Sequence, residues 1–391
     1  MTSSEGDLIQ WIAMQGLQGS SLPALLDGVA RKLVERGVPL WRCYLALPTV
    51  NPLFRVVNCT WRPDTAAALE TISHEQSPTT FDESPFGLMQ KEGQEMRRWR
   101  LEEPDGDGGF AILAGFKKAG ATDHFAGLLA FQNEEAPSMP GLVLSFTTDR
   151  PGGFTDGELA MLGRLTPLIG LAAYRIALLD LAVDMLDTYV GLSAGRRVLN
   201  GEIRRGLGDT IYAALLFADL RGFTSLADTM PAEKLIARLD EHFDAMAEPV
   251  AERGGEVLKF MGDGLLAVFH IAPGGSPEGA CAAAVAAAQE ALSRNCAVNE
   301  RHAGETRLDL DIGLHLGEVF YGNIGSGSRL DFTVIGPAVN EASRMEALCG
   351  ELGVPLVFSQ GFAAACGRKV RRLGRQALRG LSYERELFTL A

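Results

Sequence analysis

A run of apolar residues at intervals of three and four occupies the middle of the chain. Its members are Leu162, Leu165, Ile169, Ala172, Ile176, Leu179, Val183, Leu186 and Val190. A seam of this kind, kept over about four heptads, is typical of a coiled coil. The sequence therefore predicts one long helix that pairs in parallel with the helix of a second copy. The alternative is that the stripe packs inside its own domain.

The region before this helix has the sequence pattern of a domain that contains both helices and strands. Residues 1–21 are predicted to be a lead segment, and residues 22–182 open with the helical stretch LPALLDGVARKLVERG. Short apolar or alternating runs follow between turn residues: WRCYLAL, LFRVVNCTW, GFAILAGF, HFAGLLAF and LVLSF. Predicted strands separated in this way indicate an antiparallel sheet flanked by helices.

The region after the helix alternates strands and helices. We expect the coiled coil to continue to about residue 190 and residues 183–210, which contain several glycines, to form a linker or transducer. In residues 211–391, IYAALLFADL is a buried strand and GEVLKFMGDGLLAVF a hairpin with a Gly-Asp-Gly turn. Both regions are therefore predicted to belong to the α+β class, the second as an α/β sandwich.

Composition excludes several classes of partner and location. The 391 residues include 36 Lys and Arg against 49 Asp and Glu, a net charge of −13. Binding to nucleic acid needs a basic face, so we expect none, although local cations can still hold a nucleotide. Neither the six cysteines nor the six histidines have metal-ligand spacing. With no signal peptide or membrane span expected, the sequence predicts a cytoplasmic protein with reduced thiols.

Two carboxylates lie at positions that suit a metal ion. Asp219 ends the buried strand in FADLRGFT, and Asp263 lies in the hairpin turn of KFMGDGLL. A lone aspartate in a turn is usually only a turn former, but paired carboxylates with oxygen surroundings suit Mg²⁺ or Mn²⁺. The loop after Asp219, with Phe223 and Thr224, can present backbone N–H groups to an anion.

FADLRGFT, KFMGDG and DFTVIGPAVNEASRME occur in that order, and with them residues 211–391 resemble the catalytic domain of class III nucleotidyl cyclases. The resemblance implies a ferredoxin-like βαββαβ sheet, and two such domains that associate head to tail with active sites between them. It implies two Mg²⁺ or Mn²⁺ ions in each site, held by Asp219, Asp263 and the backbone carbonyl of Leu220.

The same resemblance assigns the groups that contact the substrate. Asn340 would orient the ribose, and Arg344 would stabilise the charge on the pentavalent phosphorus. The two residues are four apart on a predicted helix and therefore share a face. Near the end of the chain, Arg379 matches the phosphate-binding lysine of the family; the alternatives are Arg375 or a basic face that is only solvated.

Two further positions concern the purine base. Lys259 matches the base-reading lysine, which the family takes from the partner subunit. Thr333 stands where an aspartate is usual, and its hydroxyl can also accept from the adenine amino group. This threonine resembles class IIIb, whose members are often stimulated by bicarbonate or CO₂. The sequence thus predicts an adenylate cyclase that converts ATP to cyclic AMP, with a guanylate cyclase or an inactive nucleotide-binding module as alternatives.

A second resemblance concerns the first domain. TTDRPGGFTDGELAMLGRLTPLIGLAA is similar to the last strand and final helix of GAF domains, a family of signal-sensing modules. The resemblance implies that residues 22–182 sense an unidentified small molecule or ion. We expect the signal to reach the catalytic domains through the helix by changing how the two copies are placed.

Overall fold

The computed structural model describes residues 3–19, 21–75, 81–131, 139–380 and 383–391. Internal contacts divide the chain into two units, Met1–Met185 and Leu186–Ala391. The predicted boundaries, with a sensor ending at 182 and a linker from 183, lie close to this division.

The first unit contains a six-stranded antiparallel sheet in the order β3-β2-β1-β6-β5-β4. Its elements in chain order are α1 (Ser3–Gln18), α2 (Leu22–Glu35), β1 (Arg42–Pro48), β2 (Phe54–Arg62), β3 (Thr65–Ser73), α3 (Pro85–Glu92), β4 (Met96–Arg100), α4 (Ala111–Lys118), β5 (Asp123–Ala130), β6 (Gly141–Thr148) and α5 (Asp156–Tyr189). The predicted antiparallel α+β architecture is confirmed.

Two predictions for this unit are wrong. The run GFAILAGF, predicted as a strand, lies in α4 from its third residue on. Leu113 is fully buried, and Phe110 and Phe116, three residues to either side, pack against the same core cluster. A short apolar run cannot distinguish a strand from a buried helix by its pattern alone. The first residues are not a separate lead segment, because Leu8 and Ile12 of α1 lie fully buried in the main core.

The apolar seam of α5 divides into two parts. Leu162, Leu165, Ile169, Ala172 and Ile176 are at most 2% exposed and belong to the core of the first unit. The alternative interpretation, packing within the domain, is therefore right for this half. Further along the helix the seam residue Leu179 is 47% exposed. A dimeric coiled coil stays a prediction for the second half only.

The second unit is built on an eight-stranded sheet in the order β13-β14-β12-β10-β7-β9-β8, with β11 paired to β10. Its elements are α6 (Leu192–Leu199), β7 (Gly208–Arg221), α7 (Phe223–Ala227), α8 (Ala232–Glu252), β8 (Glu256–Met261), β9 (Gly264–His270), α9 (Pro277–Arg301), β10 (Asp309–Gly325), β11 (Leu330–Ile335), α10 (Pro337–Glu346), α11 (Cys349–Leu352), β12 (Leu356–Ser359), α12 (Gln360–Ala365), β13 (Val370–Ala377) and β14 (Glu384–Leu390).

The centre of this unit has the predicted βαββαβ order. Apart from the short α7, the elements β7, α8, β8, β9, α9 and β10 follow one another, and the four strands lie in the spatial order β10-β7-β9-β8. Helices α8 and α9 cover one face, where the alanines of α9 pack closely against β7 and β9. This arrangement brings the end of β7 next to the turn between β8 and β9.

The predicted linker is more ordered than its glycines suggested. Helix α6 lies within it, and Ala194 of that helix is 1% exposed in a core cluster of the second unit. Arg197 forms ion pairs with Glu202 and with Asp209, the second residue of β7. Among the described residues, no helix is long and apolar enough to cross a membrane. All six cysteines are unpaired, and five of them are buried.

Candidate active site

The site begins where β7 leaves the core. The strand is buried from Ala213 to Leu216 and ends beside β10, where Asp219 lies directly opposite Asp311. Two like charges in such a pair repel each other. Arg221, two residues further on the same side, compensates the charge of Asp311: its Nε donates to Oδ2 at 2.9 Å. Asp219 has no such ion pair among the described residues.

The hairpin of β8 and β9 brings the second aspartate to the same place. Its two-residue turn consists of Gly262, which has φ +66°, and Asp263. The next residue, Gly264, lies so close to β7 that a Cβ there would be 2.4 Å from the Ala218 carbonyl oxygen and 2.6 Å from Oδ1 of Asp219. The missing side chain therefore lets the hairpin backbone rest against the Asp219 carboxylate.

The electrostatics of this corner are those of an unneutralised acidic site. Burial, then the charges of Asp263 and Asp311, raises the pKa of Asp219 to about 6. Burial also raises the pKa of Asp263. Neither carboxylate forms an ion pair within the described part of the chain. A hard divalent cation would supply the missing positive charge, so the two residues fit a Mg²⁺ or Mn²⁺ site.

Sequence reasoning missed a further carboxylate here. Burial and the charges of Asp219, Asp311 and Asp263 raise the pKa of Glu346 to about 8. Glu346 is half-buried and ends α10, which packs on β10 where Gly313 leaves room: a Cβ on Gly313 would be 3.0 Å from that of Glu346. The signal was present, since this glutamate closes the motif that contains Arg344.

Asn340 and Arg344 lie on the other side of α10. Because a helix turns about 100° per residue, Arg344 projects about 200° away from Glu346, whereas Asn340 and Arg344 share a face. Asn340 is exposed, and Arg344 forms no ion pair with any described residue. A single chain therefore does not bring these two side chains to Asp219 and Asp263.

The two predicted base-reading residues are brought near each other. Lys259 of β8 forms an ion pair with Asp331 of β11, Nζ to Oδ2 at 3.8 Å. Thr333 is two residues further along β11 and so lies on the same face as Asp331. The hydroxyl of Thr333 is buried, the residue being 4% exposed, and has no hydrogen-bond partner among the described residues.

The loop after β7 is a short helix. Gly222 has φ +92° and precedes α7, whose first turn contains Phe223 and Thr224. The side chain of Phe223 packs against the core, which leaves its backbone amide as the group that can face an anion. First-turn amides of a helix have no partner within it. At Leu220, the backbone amide hydrogen-bonds to the Asp219 carboxylate.

Arg379 lies in the turn of the final hairpin, between β13 and β14, and is exposed. The guanidinium of Arg344 is adjacent to that turn: its nitrogen would lie 3.5 Å from a Cβ on Gly380. Arg375 instead lies on β13, opposite Glu386 of β14. The structure thus places the turn that contains Arg379, rather than the strand position of Arg375, next to Arg344.

Known proteins are similar to the same part of the chain. A family model described as the adenylate and guanylate cyclase catalytic domain matches residues 209–363. An adenylate cyclase of Anabaena cylindrica is 32% identical over 177 residues, 44% of this chain and 34% of the relative. Adenylate cyclase 1 of Rhizobium meliloti is 30% identical over 177 residues, 44% of this chain and 26% of the relative. The chain therefore spans about a third or less of these curated relatives.

Solved structures include the adenylyl cyclase CyaB of P. aeruginosa, 25% identical with a TM-score of 0.44 over 47% of this chain and 96% of that one. Guanylyl cyclases are also among the similar structures. The motifs, the sheet order and the family match coincide on one segment. Residues 209–363 constitute a catalytic domain of the class III adenylate and guanylate cyclases.

Proposed function

We propose that the chain is an adenylate cyclase that converts ATP to 3′,5′-cyclic AMP and pyrophosphate at sites shared by two copies. The observation that carries this proposal is the division of polar groups in one chain. Asp219 and Asp263 converge at the end of β7, while Asn340 and Arg344 face away on α10. In a two-fold dimer, each chain would supply the aspartates of one site and the Asn-Arg pair of the other.

The acidic half would hold the metal ions. Asp219, Asp263 and the Leu220 carbonyl are the proposed ligands of two Mg²⁺ or Mn²⁺ ions. When bound, such ions supply positive charge that lowers the pKa of the ribose 3′-hydroxyl and neutralises the triphosphate. Glu346 faces the same ligands and adds negative charge behind them.

The cationic half would stabilise the transition state of attack on the α-phosphorus. Arg344, which has no ion pair among the described residues, can donate to the developing charge without first breaking one. Its neighbour Arg379 would bind the phosphates, and Asn340, on the same face as Arg344, would orient the ribose. The first-turn amides at Phe223 and Thr224 would contact the phosphates from the metal-binding side.

Two residues favour adenine over guanine in this proposal. The unpartnered hydroxyl of Thr333 can accept from the adenine amino group, and Lys259 can donate to a ring nitrogen. A guanine amino and ring N–H would instead require an acceptor where Lys259 stands. Lys259→Glu is expected to lower the ratio of ATP to GTP turnover at least tenfold, and an unchanged ratio would remove this residue from base reading.

The first unit is proposed to be a GAF-like sensor that regulates the cyclase. Its last strand and helix, β6 and α5, are the elements that carry the resemblance, and the second half of the α5 seam, where Leu179 is exposed and Val183 and Leu186 are half-buried, would join the dimer. Bicarbonate stimulation, suggested by Thr333, is a further part of this proposal. The unpaired buried cysteines fit a reducing compartment such as the cytoplasm.

The test is purified full-length protein with Mn²⁺ or Mg²⁺ and either ATP or GTP, with products separated by chromatography and bicarbonate as an added condition. Cyclic AMP is the expected product. Asp263→Ala should abolish it. Asp64→Ala is the matched control and should not, because Asp64 lies in a comparable two-residue turn, between β2 and β3, but belongs to the first unit. Cyclic GMP alone would change the substrate, and no turnover with either nucleotide would favour the inactive nucleotide-binding module.

A further inference from the structure

The first unit contains a cavity of about 700 Å³ between its sheet and helices α3 and α4. Volumes of this size are usual for sites that bind small molecules. The opposite face of the sheet is filled by the main core, with Cys43, Leu45 and Phe146 fully buried. The cavity therefore lies on the face that the main core leaves uncovered.

The floor of the cavity changes from polar to apolar along the strands. At one end, Arg42 and Tyr44 of β1 lie beside Ser145 of β6 and His124 of β5. Towards the other end, the same face presents Ala46, Val143 and Leu128. Phe86 and Phe116 close the cavity from the helices. A ligand that fits this floor has a polar head and an apolar body.

The polar end carries the positive charge of Arg42, which pairs with no described anion; the exposed carboxylate of Glu70 on β3 acts on it without forming an ion pair. The Arg42 guanidinium lies 4.4 Å from the centre of the Tyr44 ring and 5.1 Å from that of Phe116. It donates one long hydrogen bond, 3.4 Å, to Thr60 Oγ1, and forms no ion pair with any described residue. Burial lowers the pKa of Arg42 to about 10, so the group is still charged at neutral pH.

The other charged groups of the lining do not change this assignment. Arg55 has a partner within the protein. Glu83, the acidic residue among the described lining positions, is exposed. The Arg42 guanidinium is half-buried and has no ion pair with any described residue, so an anionic head group would offset the cost of its partial desolvation.

Two neutral groups on the same face of the sheet as Arg42 can hydrogen-bond to an anion. The Ser145 hydroxyl is buried, the residue being 1% exposed, and has no hydrogen-bond partner among the described residues. His124 lies beside it and bonds through Nδ1 to Thr147 Oγ1 at 2.8 Å. Burial lowers the pKa of His124 to about 3, so it adds a hydrogen-bonding ring without a charge.

We infer that this cavity binds an amphipathic organic anion, with its anionic head on Arg42 and Ser145 and its apolar body over Ala46, Leu128 and Val143. As a regulatory site it rests on the sensor role proposed above, but as a binding site it does not. The chemical class is an organic acid with an aromatic or aliphatic body.

The test compares two fluorescent probes with the same body. 1-Anilinonaphthalene-8-sulfonate carries the anionic group, and N-phenyl-1-naphthylamine lacks it. All four tryptophans, Trp11, Trp41, Trp61 and Trp99, lie in the first unit, so energy transfer from tryptophan reports a probe bound there. Titrations of the full-length protein should show saturable transfer to both probes, with the sulfonate bound more tightly.

Arg42→Met should weaken binding of the sulfonate probe at least tenfold and binding of the uncharged probe less than twofold. Arg42→Lys keeps the positive charge and serves as the second variant if Arg42→Met impairs folding. It should give an intermediate loss of affinity for the sulfonate probe. Leu128→Trp, which fills the cavity, should weaken both probes, and Arg31→Met on the exposed face of α2 should weaken neither. If Arg42→Met weakens binding of both probes equally, or of neither, the assignment is wrong. Because no cyclase activity is measured, these outcomes are independent of the proposed reaction.

Discussion

Replacing Glu346 with glutamine should stabilise the metal-free protein, and should do so by more at pH 8.5 than at pH 5.5. The carboxyl is held among Asp219, Asp263 and Asp311, and its pKa is raised from 4.5 to about 8. The folded state therefore holds this proton more tightly than the unfolded state. Its contribution to stability is fully present below pH 4.5, the value for the unfolded chain, and is lost as the pH rises from there to about 8.

The magnitude follows from the two pKa values. Between pH 5.5 and 8.5, the wild type would lose roughly 3 kcal/mol through this group if the whole shift were expressed. Glu346 is only half-buried, and water screens part of the repulsion, so we expect about 1–2 kcal/mol. Glutamine keeps the shape of the side chain and has no proton to lose, so the variant should not show this share of the loss.

The assay is thermal unfolding of the full-length protein in EDTA, followed by calorimetry because the second unit has no tryptophan. For a unit of about 200 residues, 1–2 kcal/mol corresponds to a gain of roughly 3–6 °C at pH 8.5. Mg²⁺ should reduce the difference between the two proteins, because a bound cation offsets the repulsion. An equal effect of Glu346→Gln at both pH values, or destabilisation at pH 8.5, would refute the electrostatic explanation.

Two further substitutions test other contacts of the site. Asp331→Asn removes the exposed partner of Lys259, and since such pairs contribute at most about 1 kcal/mol, KM for ATP should fall up to fivefold with kcat unchanged; a higher KM would show that Asp331 helps to bind the base. Gly264→Ala places a methyl group 2.6 Å from the Asp219 carboxylate, so turnover should fall at least a hundredfold while circular dichroism stays native. Wild-type turnover in Gly264→Ala would contradict the close approach of hairpin and strand.

The acidic corner of the site could be foreseen from local patterns. A buried strand that ends in Asp219 and a tight turn that contains Asp263 are short-range features, and each is visible within about ten residues of sequence. The βαββαβ order was implied by resemblance and is confirmed by the strand order. By contrast, Asp311 lies 92 positions after Asp219, and only the pairing of β7 with β10 places the two opposite each other.

Other features depended on tertiary packing and could not be foreseen. The spacing in α5 is the same along the whole seam, so the pattern alone could not show that Leu162 to Ile176 pack inside the first unit. Likewise, GFAILAGF is apolar enough for either a strand or a helix, and its packing on the Trp99 cluster decides for the helix. Thr333 was identified by its place in a motif, but its lack of a hydrogen-bond partner became visible only in three dimensions.

The most direct test of the shared site is a mixture of two inactive variants, Asp219→Ala and Arg344→Ala, each in the full-length protein. With equal amounts and free exchange, half of the dimers are mixed, and each mixed dimer has one intact site out of two. Turnover should therefore recover to about a quarter of the wild-type value. If affinity tags show that mixed dimers form but the mixture stays inactive, Asp219 and Arg344 do not act in one site across two chains, and the central proposal is wrong.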